Sequence, residues 1–164
     1  MGSFDDVLTA NATYAQSFTF TGRPGQAARG LAVVTCMDSR IDPLSMLGLE
    51  KGDAKILRNA GGRVTDDVLR TLVLATHLLN VDRVMVVEHT DCKMASATDD
   101  QVHEAIYDSS GIDTRSLEFR TMDDQLASIA LDVQRIRSSP YLRKDTETGG
   151  FLYDVKTGRL RQVV

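Results

Sequence analysis

Two short apolar runs in this chain each stop abruptly in reactive side chains. Leu31-Ala32-Val33-Val34-Thr35 leads into Cys36-Met37-Asp38-Ser39-Arg40, and Val84-Met85-Val86-Val87 leads into Glu88-His89-Thr90-Asp91-Cys92. Uninterrupted β-branched and aliphatic runs of this length predict buried strands, and the groups that follow them would then stand at the strands' carboxyl ends. A further apolar segment, Ala54-Lys55-Ile56-Leu57-Arg58, reads as a strand between these two.

Helical patterns separate the strands. Asp42-Pro43 opens a short helix that Gly48 stops, with Pro placed where its missing N–H does no harm. Asn59-Ala60-Gly61-Gly62 is a tight turn into a long helix capped at Thr65, Asp66 or Asp67, with Val68, Leu72, Ala75 and Leu79 on one face. The resulting β, α, β, α, β order predicts a parallel, doubly wound α/β sheet. Farther on, Thr98-Asp99-Asp100 marks a helix start and 108–120 an irregular surface loop. Asp123 or Asp124 caps a helix carrying Leu126, Ile129, Val133 and Ile136, and Phe151–Val163 forms a hairpin around Lys156-Thr157-Gly158-Arg159.

Before the sheet, Ser3 to about Phe20 carries apolar residues at helical spacing, and Thr21-Gly22-Arg23-Pro24-Gly25 is a turn-rich connector. The expected fold is therefore a Rossmann-like sheet with a parallel core and flanking helices. It forms a single domain over 1–164, with 1–22 as an N-terminal helical arm and the hairpin at the C-terminus. The arm lies outside any βα unit, so it packs either on its own domain or on a partner subunit.

Composition narrows the function. Hydrophobic residues make up 42% and charged residues 26%, a globular balance, and 23 acidic against 19 basic side chains leave a net charge of −4. That excess disfavours nucleic acid as a partner and favours a small or anionic ligand. No apolar stretch approaches the roughly 20 residues that cross a bilayer, and the amino terminus lacks a secretory pattern, so the expectation is a cytoplasmic protein without a membrane partner. In that compartment two cysteines are expected as thiols or thiolates rather than as a disulfide.

Ligands of open α/β sheets collect outside the strands' carboxyl ends, where strand order reverses. If the first strand is flanked by the other two, that crevice lies between Cys36 and His89. Cys36, His89 and Cys92 then offer two thiolates and an imidazole, a set that binds zinc tetrahedrally and leaves a fourth place open. Each alone reads as easily as a packed core residue. Asp38 and Arg40 stand two apart, which suits a bidentate ion pair; it is either structural or a device that keeps the carboxylate off the metal's fourth position. Gly61 and Gly62 precede a helix start, where N–H groups favour anions and could form a bicarbonate-binding wall, although an ordinary βα turn is the better explanation of them. His77 and His103 read as a helix-face and a surface residue without a role.

With these motifs in order, the sequence resembles the β-class carbonic anhydrases. Cys36-x-Asp38-x-Arg40, the Arg58-Asn59-Ala60-Gly61 turn and His89-x-x-Cys92 carry the likeness, and the short arm and C-terminal hairpin match the compact bacterial and fungal branch. The resemblance implies zinc on Cys36, His89 and Cys92, with Asp38 as an alternative fourth ligand in a closed state. It implies reversible hydration of carbon dioxide to bicarbonate by zinc-bound hydroxide, gated by Asp38 and Arg40. It also implies a homodimer or dimer of dimers, with the N-terminal helix reaching over its neighbour. Lys93-Met94 replaces the family's usual Gly-Gly, and the pocket glutamine of the plant-type branch has no evident counterpart. Carbonyl sulfide or carbon disulfide hydrolysis on the same zinc scaffold therefore stands as an alternative, as does a non-catalytic zinc or anion-sensing module with a closed site.

Overall fold

The computed structural model describes residues 2–20 and 22–164; Thr21, the first residue of the expected connector, lies outside the described residues. Among the described residues the strands are β1 (Leu31–Cys36), β2 (Ala54–Asn59), β3 (Arg83–His89), β4 (Glu147–Tyr153) and β5 (Leu160–Gln162). They form one sheet in the order β2-β1-β3-β4-β5. The first four run parallel and β5 is antiparallel to β4. As expected, β1 lies between β2 and β3, so the chain order reverses beside it.

The helices are α1 (Asp5–Ser17), α2 (Pro43–Met46), α3 (Asp66–Leu78), α4 (Asp99–Ser110) and α5 (Gln125–Arg137). Side chains cap four of them. Asp42 accepts from Leu44 N and Ser45 N, Thr65 from Val68 N, and Asp124 from Leu126 N and Ala127 N, while Thr98 and Gln101 form a reciprocal capping box. One face of the sheet, through Ala32, Val34, Val84 and Val86, packs against Val68, Leu72 and Ala75 of α3 and Ile129, Val133 and Ile136 of α5. The other face is thinly covered by α2 and the segment after it, leaving Ile56, Met85, Phe151 and Leu160 only partly buried.

Some expectations shift. The first C-terminal strand begins at Glu147, earlier than the hairpin reading, and pairs parallel with β3 along its whole length. Gly149 and Gly150 lie inside that strand. A Cβ at Gly150 would stand 2.3 Å from Ile129 Cγ2, so the bare backbone is what lets α5 sit close to the sheet. Leu126, expected on the buried face, is exposed, and Asp132, which that face did not include, is buried. α4 runs on to Ser110, ending at Gly111 in a left-handed cap, so the irregular segment is shorter than expected.

Gly62 closes the turn between β2 and α3 with φ +70°, and a Cβ there would lie 3.0 Å from Cys36 N and Thr35 C and 3.1 Å from Val87 O. All three neighbours are backbone atoms of the central strands and cannot rotate aside. Gly62→Ala is therefore expected to cost about 2–3 kcal/mol. Thermal denaturation should show a Tm lower by roughly 5–10 °C; an unchanged Tm would mean that the close approach is not needed.

Candidate metal centre

Because β1 and β3 are adjacent and parallel with Thr35 opposite Val87, the residues that follow them emerge side by side. Cys36, His89 and Cys92 are all buried, and their ligand atoms lie within 4.8 Å of one another. The His89 ring bonds through Nδ1 to Thr90 O at 2.9 Å. An Nδ1–H donor leaves Nε2 with a free lone pair, and Nε2 is buried without a partner. An unpartnered buried acceptor is costly unless a cation takes its lone pair. The His89 backbone is held in turn by Gln125 Nε2 on its carbonyl at 2.8 Å, and Thr90 by its N–H bond to Tyr153 O at 2.9 Å.

The two thiols press the same conclusion. Both cysteines are free. The neighbouring sulfurs perturb one another, which pushes Cys36 far below and Cys92 far above the ordinary thiol value. Two buried thiols this close do not ionise independently, and a bound cation would favour ionising both. Backbone amides are already arranged for that charge: those of Asp38 and Gly61 face the Cys36 sulfur, and those of Met94 and Ala95 face Cys92. Burial works to depress the His89 imidazole, but the adjoining Cys36 sulfur outweighs it and raises the ring's affinity for a positive charge. Two thiolates and an imidazole whose Nε2 lacks a partner fit zinc.

Asp38 stands at the rim of this cluster, its Oδ2 3.8 Å from His89 Nε2, yet it is turned to Arg40. Arg40 Nε donates to Oδ1 at 3.0 Å and Nη2 to Oδ2 at 2.7 Å, and the Arg40 N–H adds a third bond to Oδ1 at 2.9 Å. These bonds hold the carboxyl well below the usual carboxylate range. Arg58 fixes the backbone of the same loop, donating to Cys36 O at 3.0 Å and Asp38 O at 2.6 Å.

The remaining wall is apolar. Cys36, Cys92, Ile41 and Met122 form one buried cluster, with Met46 and Met94 against it. Met122 is set by a loop that Asp99 gathers, accepting from Phe119 N, Arg120 N and Thr121 N. From the other side Arg63, paired in the core with Asp132 at 2.7 Å, donates to Arg120 O at 2.8 Å. Met94 packs inward near Gly61, while Lys93 is exposed. Glu88 is completely buried with neither carboxylate oxygen bonded, and burial pushes its carboxyl up to about 8.

The structure thus brings together Cys36, Asp38, Arg40, His89 and Cys92, and places Gly61 against the Cys36 sulfur and Gly62 against the central backbone. His103, expected at the surface, is instead buried, its ring 5.0 Å from that of Phe119 and bonded to Thr114 Oγ1. His77 is exposed and bonds to Tyr141 O. Sequence reasoning missed Gln125 and Arg63 and gave no supporting role to Arg58 or Asp99, whose partners, like theirs, lie 20 to 69 residues away.

Comparison with known proteins agrees with this geometry. Residues 31–160 match the family model described as carbonic anhydrase. The chain is 39% identical over 160 residues to β-carbonic anhydrase 1 of Mycobacterium tuberculosis, covering 97% of this chain and 96% of the relative. It is 31% identical to a carbon disulfide hydrolase of Acidithiobacillus thiooxidans, over 81% of this chain and 76% of that one. Among solved structures, the carbonic anhydrase of Streptococcus mutans superposes with a TM-score of 0.93 at 38% identity, over 100% of this chain and 99% of that chain. The chain belongs to the β-class carbonic anhydrases.

Proposed function

We propose that this protein catalyses the reversible hydration of carbon dioxide to bicarbonate and a proton, using zinc held by Cys36, His89 and Cys92. The observation that carries the reading is the convergence of those three buried donors beside a carboxylate that Arg40 holds away from them. Zinc supplies a Lewis acid that lowers the pKa of a coordinated water to about 7. The chain's own residues do the rest. Asp38, kept ionised by Arg40, accepts the nucleophile's O–H at its carboxylate and so turns a lone pair toward the substrate carbon. The apolar wall of Ile41, Met122, Met46 and Met94 suits an uncharged linear substrate and excludes bulk water. Gly61 supports the reaction through its amide on the Cys36 sulfur; with Gly62 it forms the wall proposed for bicarbonate.

The 31% identical carbon disulfide hydrolase favours a second reading on the same residues, hydrolysis of a sulfur analogue of carbon dioxide. Substrate choice on one zinc set is a matter of pocket shape. Stopped-flow hydration with a pH indicator at about pH 8 separates them: zinc-dependent acceleration is expected, and sulfide release from carbonyl sulfide outpacing it would move the assignment.

Asp38 and Arg40 are proposed as a gate, with Asp38 taking the metal's fourth position when released. Cys36→Ser, His89→Ala and Cys92→Ser are each expected to bring zinc well below one ion per chain by elemental analysis. Arg40→Ala should keep the metal and lose activity by about 10²-fold or more. Normal turnover in Arg40→Ala would remove the gate.

We further propose a cytoplasmic homodimer, alone or paired into a dimer of dimers, in which α1 crosses onto the other subunit. No residue of α1 is buried, and Phe4, Leu8, Tyr14 and Phe18 on or beside it are exposed. A helix of 13 residues is marginal without packing, and the thinly covered sheet face offers apolar surface. Light scattering is expected to give at least twice the 18.0 kDa chain mass, and deletion of residues 2–20 should lower it; a monomeric full chain would refute the assignment.

A further inference from the structure

Asp91 sits between two proposed metal ligands, His89 and Cys92, with its backbone in the left-handed region at φ +57°. Non-glycine residues adopt that conformation seldom, and Asp is among those that tolerate it best. Here it aims the side chain back across the cleft to the other ligand loop. Arg40 Nη1 donates to Asp91 Oδ2 at 2.8 Å, and Arg40 Nη2 donates to Asp91 O at 3.0 Å. With Nε and the second Nη2 hydrogen on Asp38, four of the guanidinium's five N–H directions are used. The fork can hold Asp38 bidentately only while its plane is fixed, and its far side is fixed by Asp91.

We propose that Asp91 is a positioning residue that acts through Arg40, locking the guanidinium in the orientation that keeps Asp38 away from the metal. This inference rests on the gate proposed above. It makes the gate a three-residue chain, Asp91–Arg40–Asp38, that joins the loop after β1 to the loop after β3. Arg40 and Asp91 are both exposed, so solvent screens the pair and the expected effect is a bias of about threefold rather than an on–off loss.

The test uses cobalt-substituted whole protein, whose visible absorption reports what occupies the fourth position, in the wild type, Asp91→Gly, Arg40→Ala and the double variant. Glycine keeps the left-handed backbone and removes only the carboxylate. Asp91→Gly is expected to raise the carboxylate-ligated fraction about threefold and to lower kcat with little change in KM, whereas Asp91→Asn, which keeps an acceptor oxygen, should recover part of both. In the Arg40→Ala background the same substitution should change nothing further, because its only route is gone. Equal spectral changes in both backgrounds, or none in the wild-type background, would overturn the positioning role. An Arg40→Ala spectrum identical to the wild type would overturn the gate itself, so the two failures are distinct.

Discussion

One carboxylate with two suitors governs this site. Asp38 lies 3.8 Å from the imidazole nitrogen that faces the ligand cluster, yet its oxygens are spoken for by a guanidinium two residues along the chain. Charge-assisted, bidentate hydrogen bonds are strong enough to hold an anion beside a cation-binding cluster without letting it close over that cluster. In the proposed centre two sulfurs and one imidazole leave room for one more ligand, and which oxygen fills it would separate a working centre from a capped one. The proposed chemistry follows from that competition rather than from any one residue.

The backbone builds the competition in layers. Parallel pairing of β1 with β3 fixes where both ligand segments emerge, and Gly62 lets the next turn pass close enough for the Gly61 amide to face the Cys36 sulfur. Arg58 from β2 clamps one ligand loop, Gln125 from α5 and Tyr153 from β4 clamp the other, and Asp99 with Arg63 sets the methionine wall. Side-chain donors from Arg58, Gln125 and Arg63 meet backbone carbonyls, while the Tyr153 carbonyl and the Asp99 carboxylate accept from backbone N–H groups around the centre. This is the usual way in which supporting contacts orient metal ligands and tune their basicity.

Much of the fold was legible because its strands announce themselves: unbroken runs such as Leu31–Thr35 cannot be half-exposed, and caps at Thr65, Asp42 and Asp124 are local chemistry. The ligand set was legible for the same reason, since reactive residues directly after a buried strand have few places to go. What the sequence hid was long-range or compensating. The hairpin reading began only at Phe151 because the strand's earlier part carries Gly149 and Gly150, whose bare backbone is needed by Ile129 on another element. Asp132 on the core face of α5 looks misplaced until Arg63, 69 residues earlier, neutralises it. His103 looked polar and exposed because nothing near it in sequence announces Phe119 as its packing partner.

The most direct test of the centre is X-ray absorption at the zinc edge on the purified protein. One zinc per chain is expected, with a nearest shell of two sulfurs, one imidazole nitrogen and one further light atom. A shell with no sulfur or only one would overturn the centre, because the two buried thiols would then not hold one ion between them.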